Sequence, residues 1–161
     1  MTGPADRELT DLMVTLRDRL ALSRATLRLD VPGDQPMPMT HEALAPGVAS
    51  VDGMVVAAEG SPTVTTILRT RAVLAIPDTG RAAEVDPAFD DDGFRAMVRD
   101  YGGLAAFVAA PVFERDQLVG ILSLHQLSAP RSWTCDELEA TDRATARIAR
   151  LRPQLARERE R

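Results

Sequence analysis

The sequence predicts an α+β domain built on one central antiparallel sheet of five or six strands flanked by helices. Segments with the three-and-four apolar spacing of a helix are interspersed with short apolar or alternating segments of strand length. Two adjoining apolar segments, 104–113 and 118–127, are joined by the polar residues Glu114-Arg115-Asp116-Gln117, which is the pattern of a hairpin. The length, 161 residues, suits a single domain, and 45% hydrophobic with 27% charged side chains is the composition of an ordinary globular protein. A chain of 17.4 kDa is expected to bury roughly 69% of the surface that it exposes unfolded, enough for a core without disulfides or metal.

The first helix is expected over 6–22, where Leu9, Leu12, Met13, Leu16 and Leu20 share a face that Arg7, Asp11, Asp18 and Arg19 avoid. Residues 25–31 alternate apolar and polar side chains, a half-buried strand, and Pro32-Gly33-Asp34 ends it with turn chemistry. Prolines 36, 38 and 46 with glycines 47 and 53 exclude a helix before Gly60, leaving one strand near 39–44. Ser61-Pro62 opens a short helix to Arg69, since serine caps and proline at the first position gives up no needed N–H. Residues 72–76 are all apolar and read as a strand covered on both faces. A loop follows over 80–92, its acids Asp90, Asp91 and Asp92 favouring the dipole of a helix over 92–101 that Gly102-Gly103 ends. In the hairpin, Pro111 cannot donate to a ladder and belongs at a bulge or an unpaired edge. Thr134 and Glu137 form a capping box that starts the last helix, 134–155, with Leu138, Ala144, Ile148, Leu151 and Leu155 on one side. Pro153 should kink or end it, and 156–161 should fray.

Several function classes are excluded or disfavoured at once. A net charge of −5 argues against nucleic acid. One cysteine, Cys135, rules out an internal disulfide and a thiolate-built metal centre, and the two histidines with scattered carboxylates do not reach metal-ligand spacing. No secretory leader is visible, and the longest apolar run, 104–113, is about half of the ~20 residues a membrane helix needs, so a bacterial cytoplasmic protein without membrane contact is expected. All 19 basic side chains are arginine and asparagine is also absent, a bias that a GC-rich genome explains. The missing lysine nevertheless excludes Schiff-base chemistry and a phosphate-loop lysine. No nucleophile elbow and no glycine-rich phosphate loop is present, and no enzyme is expected.

The stretch Ala109-Ala110-Pro111-Val112, a polar turn, then Leu118-Val119-Gly120-Ile121-Leu122-Ser123 resembles the most recognisable part of GAF domains. His125-Gln126-Leu127-Ser128-Ala129-Pro130-Arg131-Ser132-Trp133 is similar to the corresponding segment of bilin-binding GAF domains in phytochromes and cyanobacteriochromes. The resemblance spans about 6–151 and is specific between 104 and 140. It implies a sensory or regulatory module with a small-molecule pocket on one sheet face, often dimerising through its terminal helices. It also implies what is missing. Where bilin-attaching relatives carry Cys-His, this chain has Phe94-Arg95, so covalent bilin is not expected. Haem-binding relatives take a histidine from the segment before the hairpin, and 94–110 contain none. The asparagine-lysine signature of cyclic-nucleotide binders and the cysteines of methionine sulfoxide reductases are absent as well.

The expected site residues are Asp78, Phe94, Met97, Val98, Tyr101, Phe107 and His125. Five of the six aromatics fall between 89 and 113, as they would in an apolar pocket, though an ordinary core is the better explanation. His125 is either a pocket histidine bonding a polar ligand group or a structural one bonded to backbone. Asp78 either meets a ligand or caps the loop after it. Arg131 and Trp133 read as structure, and Arg95 with Arg99 as a solvated face beside Asp92. No cofactor or metal is expected. The expected function is noncovalent binding of an unidentified small molecule, signalled through a homodimer of the terminal helices or to a protein partner; the alternative is a ligand-free dimerisation or scaffolding module.

Overall fold

In the computed structural model residues 2–31, 37–54 and 60–161 are described. The five strands are β1 (Arg24–Leu29), β2 (Met39–Leu44), β3 (Leu74–Ile76), β4 (Ala106–Glu114) and β5 (Gln117–Gln126). They form one antiparallel sheet in the order β2-β1-β5-β4-β3. The helices are α1 (Pro4–Arg19), α2 (Pro62–Thr70), α3 (Ala82–Val85), α4 (Asp92–Asp100) and α5 (Cys135–Glu160). The expected turn at 32–34 lies outside the described residues.

The β4–β5 hairpin turns on Arg115 and Asp116, whose positive φ values of 50° and 65° give the two-residue turn that matches strand twist. Ser23 N–H donates to the His125 carbonyl, so odd-numbered residues of β5 bond toward β1 and even-numbered ones toward β4. Pro111, opposite Ile121, therefore turns its nitrogen away from β5 and past the end of β3, whose last pair is Leu74 with Ala109. No ladder bond is lost there, and a register shift follows between Val112 and Phe113. Gly120 is required for a different reason. A Cβ there would stand 2.6 Å from Leu29 Cδ2 and 2.7 Å from the Arg28 carbonyl oxygen, closer than strands allow.

Two cores lie on opposite sides of the sheet. On the first face Ala25, Leu27 and Leu29 of β1, Val108 and Ala110 of β4, and Leu122 and Leu124 of β5 meet Leu9, Met13 and Leu16 of α1 and Ile148 and Leu155 of α5. Burying each large side chain contributes about 1.5–3 kcal/mol. Leu9, Met13, Leu16, Ile148 and Leu155 are thus buried within one chain, whereas Leu12, Leu138 and Leu151 of the same helices and Leu20 at the end of α1 are only partly covered. On the second face Phe107, Ala109 and Ile121 meet Val64 and Ile67 of α2, Phe94 of α4 and Phe89.

Four expectations are corrected. The run 72–76 forms only a three-residue edge strand, with Ala72 exposed and Val73 half-buried, because α2 covers one side and solvent meets the other end. The acid-rich stretch 80–92 is not a plain loop. Asp78, Asp86 and Asp91 each accept a backbone N–H two or three residues on, starting in turn the 3₁₀ turn Thr79–Arg81, the 3₁₀ turn Pro87–Phe89 and α4. The polar side of β1 is more buried than alternation implies, since both faces of this inner strand are covered: Arg24 is 1% exposed and Thr26 4%, and only Arg28 stays half-buried. Finally, α5 runs through Pro153 to Glu160 and the tail does not fray. A proline inside a helix costs about 3 kcal/mol, and the residues on either side of it offset this. Leu155 is fully buried, Arg152 bonds Glu114 and the Asp30 carbonyl, and Glu158 accepts the N–H groups of Ala5 and Asp6 at the start of α1. Gly3 stands so close to Glu158 that any side chain would overlap the carboxylate.

Candidate functional site

The register sets the side chains of the second face in rows across the strands, since paired residues share a face. One row runs Arg24, His125, Phe107, Ile76. The next runs Glu42, Thr26, Ser123, Ala109, Leu74, and the third holds Arg28, Ile121 and Pro111. On this face β1 and β5 carry the polar residues Arg24, Thr26, Arg28, His125 and Ser123, with Leu44 and Met39 of β2 opposite Arg24 and Arg28, while the β4–β3 side and Ile121 are apolar.

Arg24 is the hub of the polar side. Its Nε–H donates to His125 Nδ1 at 2.9 Å, Nη1 to the Ala49 carbonyl at 2.9 Å and Nη2 to the Tyr101 carbonyl at 2.8 Å. One guanidinium thus ties β1 to β5, to the segment after β2 and to the end of α4. Burial lowers its pKa, and the Glu42 carboxylate opposes that. Glu42 itself accepts from the Ser50 hydroxyl and Val51 N–H. Arg28 donates to the Met54 carbonyl.

Because an arginine donates to its Nδ1, His125 carries its ring proton on Nε2 and is neutral. Burial, with Arg24 and Arg28 adding positive charge, pushes its pKa down to about 3. A charge tunable near neutral pH, as a pocket histidine would offer, is not what this environment produces, and its ring bonds a side chain instead of the backbone. The Tyr101 ring lies 5.5 Å from it, and Arg24 stands 5.8 Å from the Tyr101 ring centroid.

The apolar side gathers most of the other expected site residues. Phe94 packs edge-on against Phe89 at 4.9 Å and tilted against Phe107 at 6.1 Å. Met97, Val98 and Tyr101 pack half-buried on this cluster. Asp78 stands apart, its Oδ1 accepting the Gly80 N–H, so it caps the turn after β3. Arg131 donates to the Leu20 carbonyl, Gln126 and Glu137, and Trp133 Nε1 donates to the Ile76 carbonyl, so both stitch α1, β3 and α5 together. Arg95 bridges Asp90 and Asp92 on the exposed side of α4. His41 bonds Asp6 and Thr40 under α1. Among the described residues no group of three His, Cys, Asp or Glu side chains is placed to hold a metal, and no helix is long and apolar enough to cross a membrane.

Sequence reasoning missed Arg24, Thr26, Arg28 and Ser123. The one available signal was the alternation of β1 itself, whose polar positions stack on the same face as His125. Ser123 is notable because it sits on the middle strand of five yet is only partly covered.

Comparison with known proteins gives the architecture a family. No curated protein matches the sequence significantly. Among solved structures, the GAF domain of Thermosynechococcus elongatus PixJ in its blue-light absorbing form is similar over 99% of this chain and 92% of its own, with a TM-score of 0.67 and 20% identity. The phycocyanobilin-bound GAF domain of a cyanobacterial phytochrome aligns over 96% and 86% with a TM-score of 0.71, also at 20% identity. The GAF domain of an Acinetobacter phosphoenolpyruvate-protein phosphotransferase aligns over 94% and 84% with a TM-score of 0.69 at 12% identity. At such identities the likeness is one of fold. The family model described as GAF domain matches residues 4–151, from the start of α1 through most of α5, and the chain belongs to that family.

Proposed function

We propose that this GAF domain is a sensory or regulatory module that takes up a small molecule noncovalently on the second face of its sheet and passes the change to a partner, a second copy or another signalling protein. The observation that carries the reading is Ser123. A side chain in the middle of a sheet, under a cover of connecting segments, is ordinarily sealed, yet this one is partly exposed and lies between the buried polar residues Thr26 and Arg24 and the apolar wall of Phe107 and Ile121. Polar groups beside an apolar wall are the make-up of a ligand site. Arg24 supplies the means of response, because the carbonyls that it holds belong to two separate covering segments. A molecule that binds better when Ala49 or Tyr101 has shifted changes the population of those segments. The proposal includes neither a catalytic step nor a covalent or haem cofactor.

A ligand-free scaffold is the second reading, favoured by one observation: Phe94 packs against Phe89 and Phe107 as core aromatics do. Thermal unfolding against a metabolite panel containing neutral, acidic and basic compounds separates the two. A ligand at 100 times its Kd adds about 2.7 kcal/mol, which raises the midpoint of a domain this size by roughly 5–10 °C. A panel without any shift leaves the scaffold.

A further inference from the structure

We propose that the molecule taken up at this face is an amphiphilic monoanion, with its acidic group seated on the Thr26–Ser123 row between Arg24 and Arg28 and its apolar body laid toward Ala109, Phe107 and Ile121. The inference rests on the ligand-binding reading above and gives its chemistry.

The argument is one of unbalanced charge. Among the described residues neither Arg24 nor Arg28 pairs with a carboxylate, whereas the largely covered Arg131 and Arg152 do so. Arg24 is 1% exposed and its three bonds go to a neutral imidazole and two carbonyls. A buried guanidinium without a counter-ion is costly unless something else supplies the negative charge. Glu42 is the carboxylate at the rim of the same row, and its oxygens are engaged by Ser50 and Val51. Among the described residues, buried Arg24 and half-buried Arg28 face one carboxylate, Glu42, and an uncharged His125, which leaves one positive charge over on this face.

Position and shape follow from the register. Arg24 and Arg28 lie four residues apart on one face of β1, about 13 Å along the strand, with Thr26 midway between them. A guanidinium has five N–H donors, so the three bonds of Arg24 leave two more, and Thr26 and Ser123 stand paired in the row next to it. Charge-assisted bonds from such donors are about twice as strong as neutral ones. One strand further, Ala109 is apolar and flanked by Phe107 and Pro111, so nothing there can solvate a second charge. An acid with a hydrocarbon body fits both halves. A cation is repelled by the two arginines, and a second negative charge on the body finds no donor on the apolar half.

The test uses matched sets of one body with three head groups: benzoate, benzamide and benzylamine, and hexanoate, hexanamide and hexylamine, with acetate as an acid lacking a body. Binding is read by calorimetry and thermal shift on the wild type, on Arg28→Gln, and on Arg69→Gln as a surface control. The carboxylates are expected to bind roughly tenfold or more tightly than their amides, and more tightly than acetate. Arg28→Gln is expected to reduce carboxylate affinity roughly tenfold without changing that of the amide, and Arg69→Gln to change neither. Circular dichroism and the unliganded midpoint establish that Arg28→Gln folds; Ser123→Ala, which removes one hydroxyl and no charge, weakens the carboxylate less than Arg28→Gln does. Amide or amine binding equal to the acid, or indifference to Arg28→Gln, overturns the proposal. If these acids fail while a neutral or basic metabolite shifts the midpoint, the monoanion falls and the ligand-binding reading stands; if nothing in either panel binds, both fall.

Discussion

The two faces of this sheet are covered by different kinds of structure, and they are built accordingly. The first face lies under α1 and α5, helices that satisfy their own backbone, and it contains little but aliphatic side chains. The second lies partly under connecting segments, whose carbonyls need donors. There Arg24 and Arg28 supply them from the sheet. A cover of regular helix permits an apolar floor, whereas a cover of irregular chain demands a polar one. The second arrangement is also the one that a ligand can compete with.

The comparison is sharpened first by Leu122→Ala, which removes a fully buried side chain of the first face. The expected loss is about 3–4 kcal/mol, read by denaturant unfolding, because helices anchored along their length cannot collapse into the space. Arg24→Leu attacks the other face. It leaves His125 Nδ1 and the Ala49 and Tyr101 carbonyls without their donor and is expected to cost about 2–3 kcal/mol. A stabilised Arg24→Leu would break the contrast, showing that the polar floor is kept at the expense of stability.

The smallest effect is a pH dependence that His125 brings to the second face. His125 titrates at about 3 when folded against 6.5 ordinarily, so on acidification the unfolded chain takes up the proton first. Its contribution is complete above pH 6.5 and is lost as pH falls toward 3, at up to about 1.4 kcal/mol per pH unit. His41, lowered by burial against the pull of Asp6, adds in the same direction. His125→Gln, whose amide oxygen still accepts from Arg24, should flatten the slope of stability between pH 5 and 6.5, a window above most carboxylate titration. An unchanged slope would assign it to His41, under the first face.

What the sequence discloses divides along the same line. The hairpin, the capping box of Thr134 and Glu137, the serine cap of α2 and the apolar stripes of the terminal helices rest on local chemistry, and each stands within a few residues of where the pattern puts it. The expectation for Pro153 rested on local cost alone, and contacts made by Arg152, Leu155 and Glu158 elsewhere in the chain override it. The aromatic half of the candidate site was legible because four phenylalanines in 161 residues are conspicuous. Arg24 was not. One arginine among 19 carries no mark of burial, and an alternating strand has the same pattern whether its polar side meets water or the carbonyls of a distant segment.

The clasp between the chain's two ends has a mechanical meaning. Glu158 holds the first N–H groups of α1, Arg159 stands 3.7 Å from Asp6, and the bare backbone of Gly3 lets the Glu158 carboxylate approach. Any pull, twist or shear applied to the final turn of α5 is delivered to the opening turn of α1 as the making or breaking of hydrogen bonds. The two helices therefore move together or part abruptly at that joint, like a latch and not like a spring.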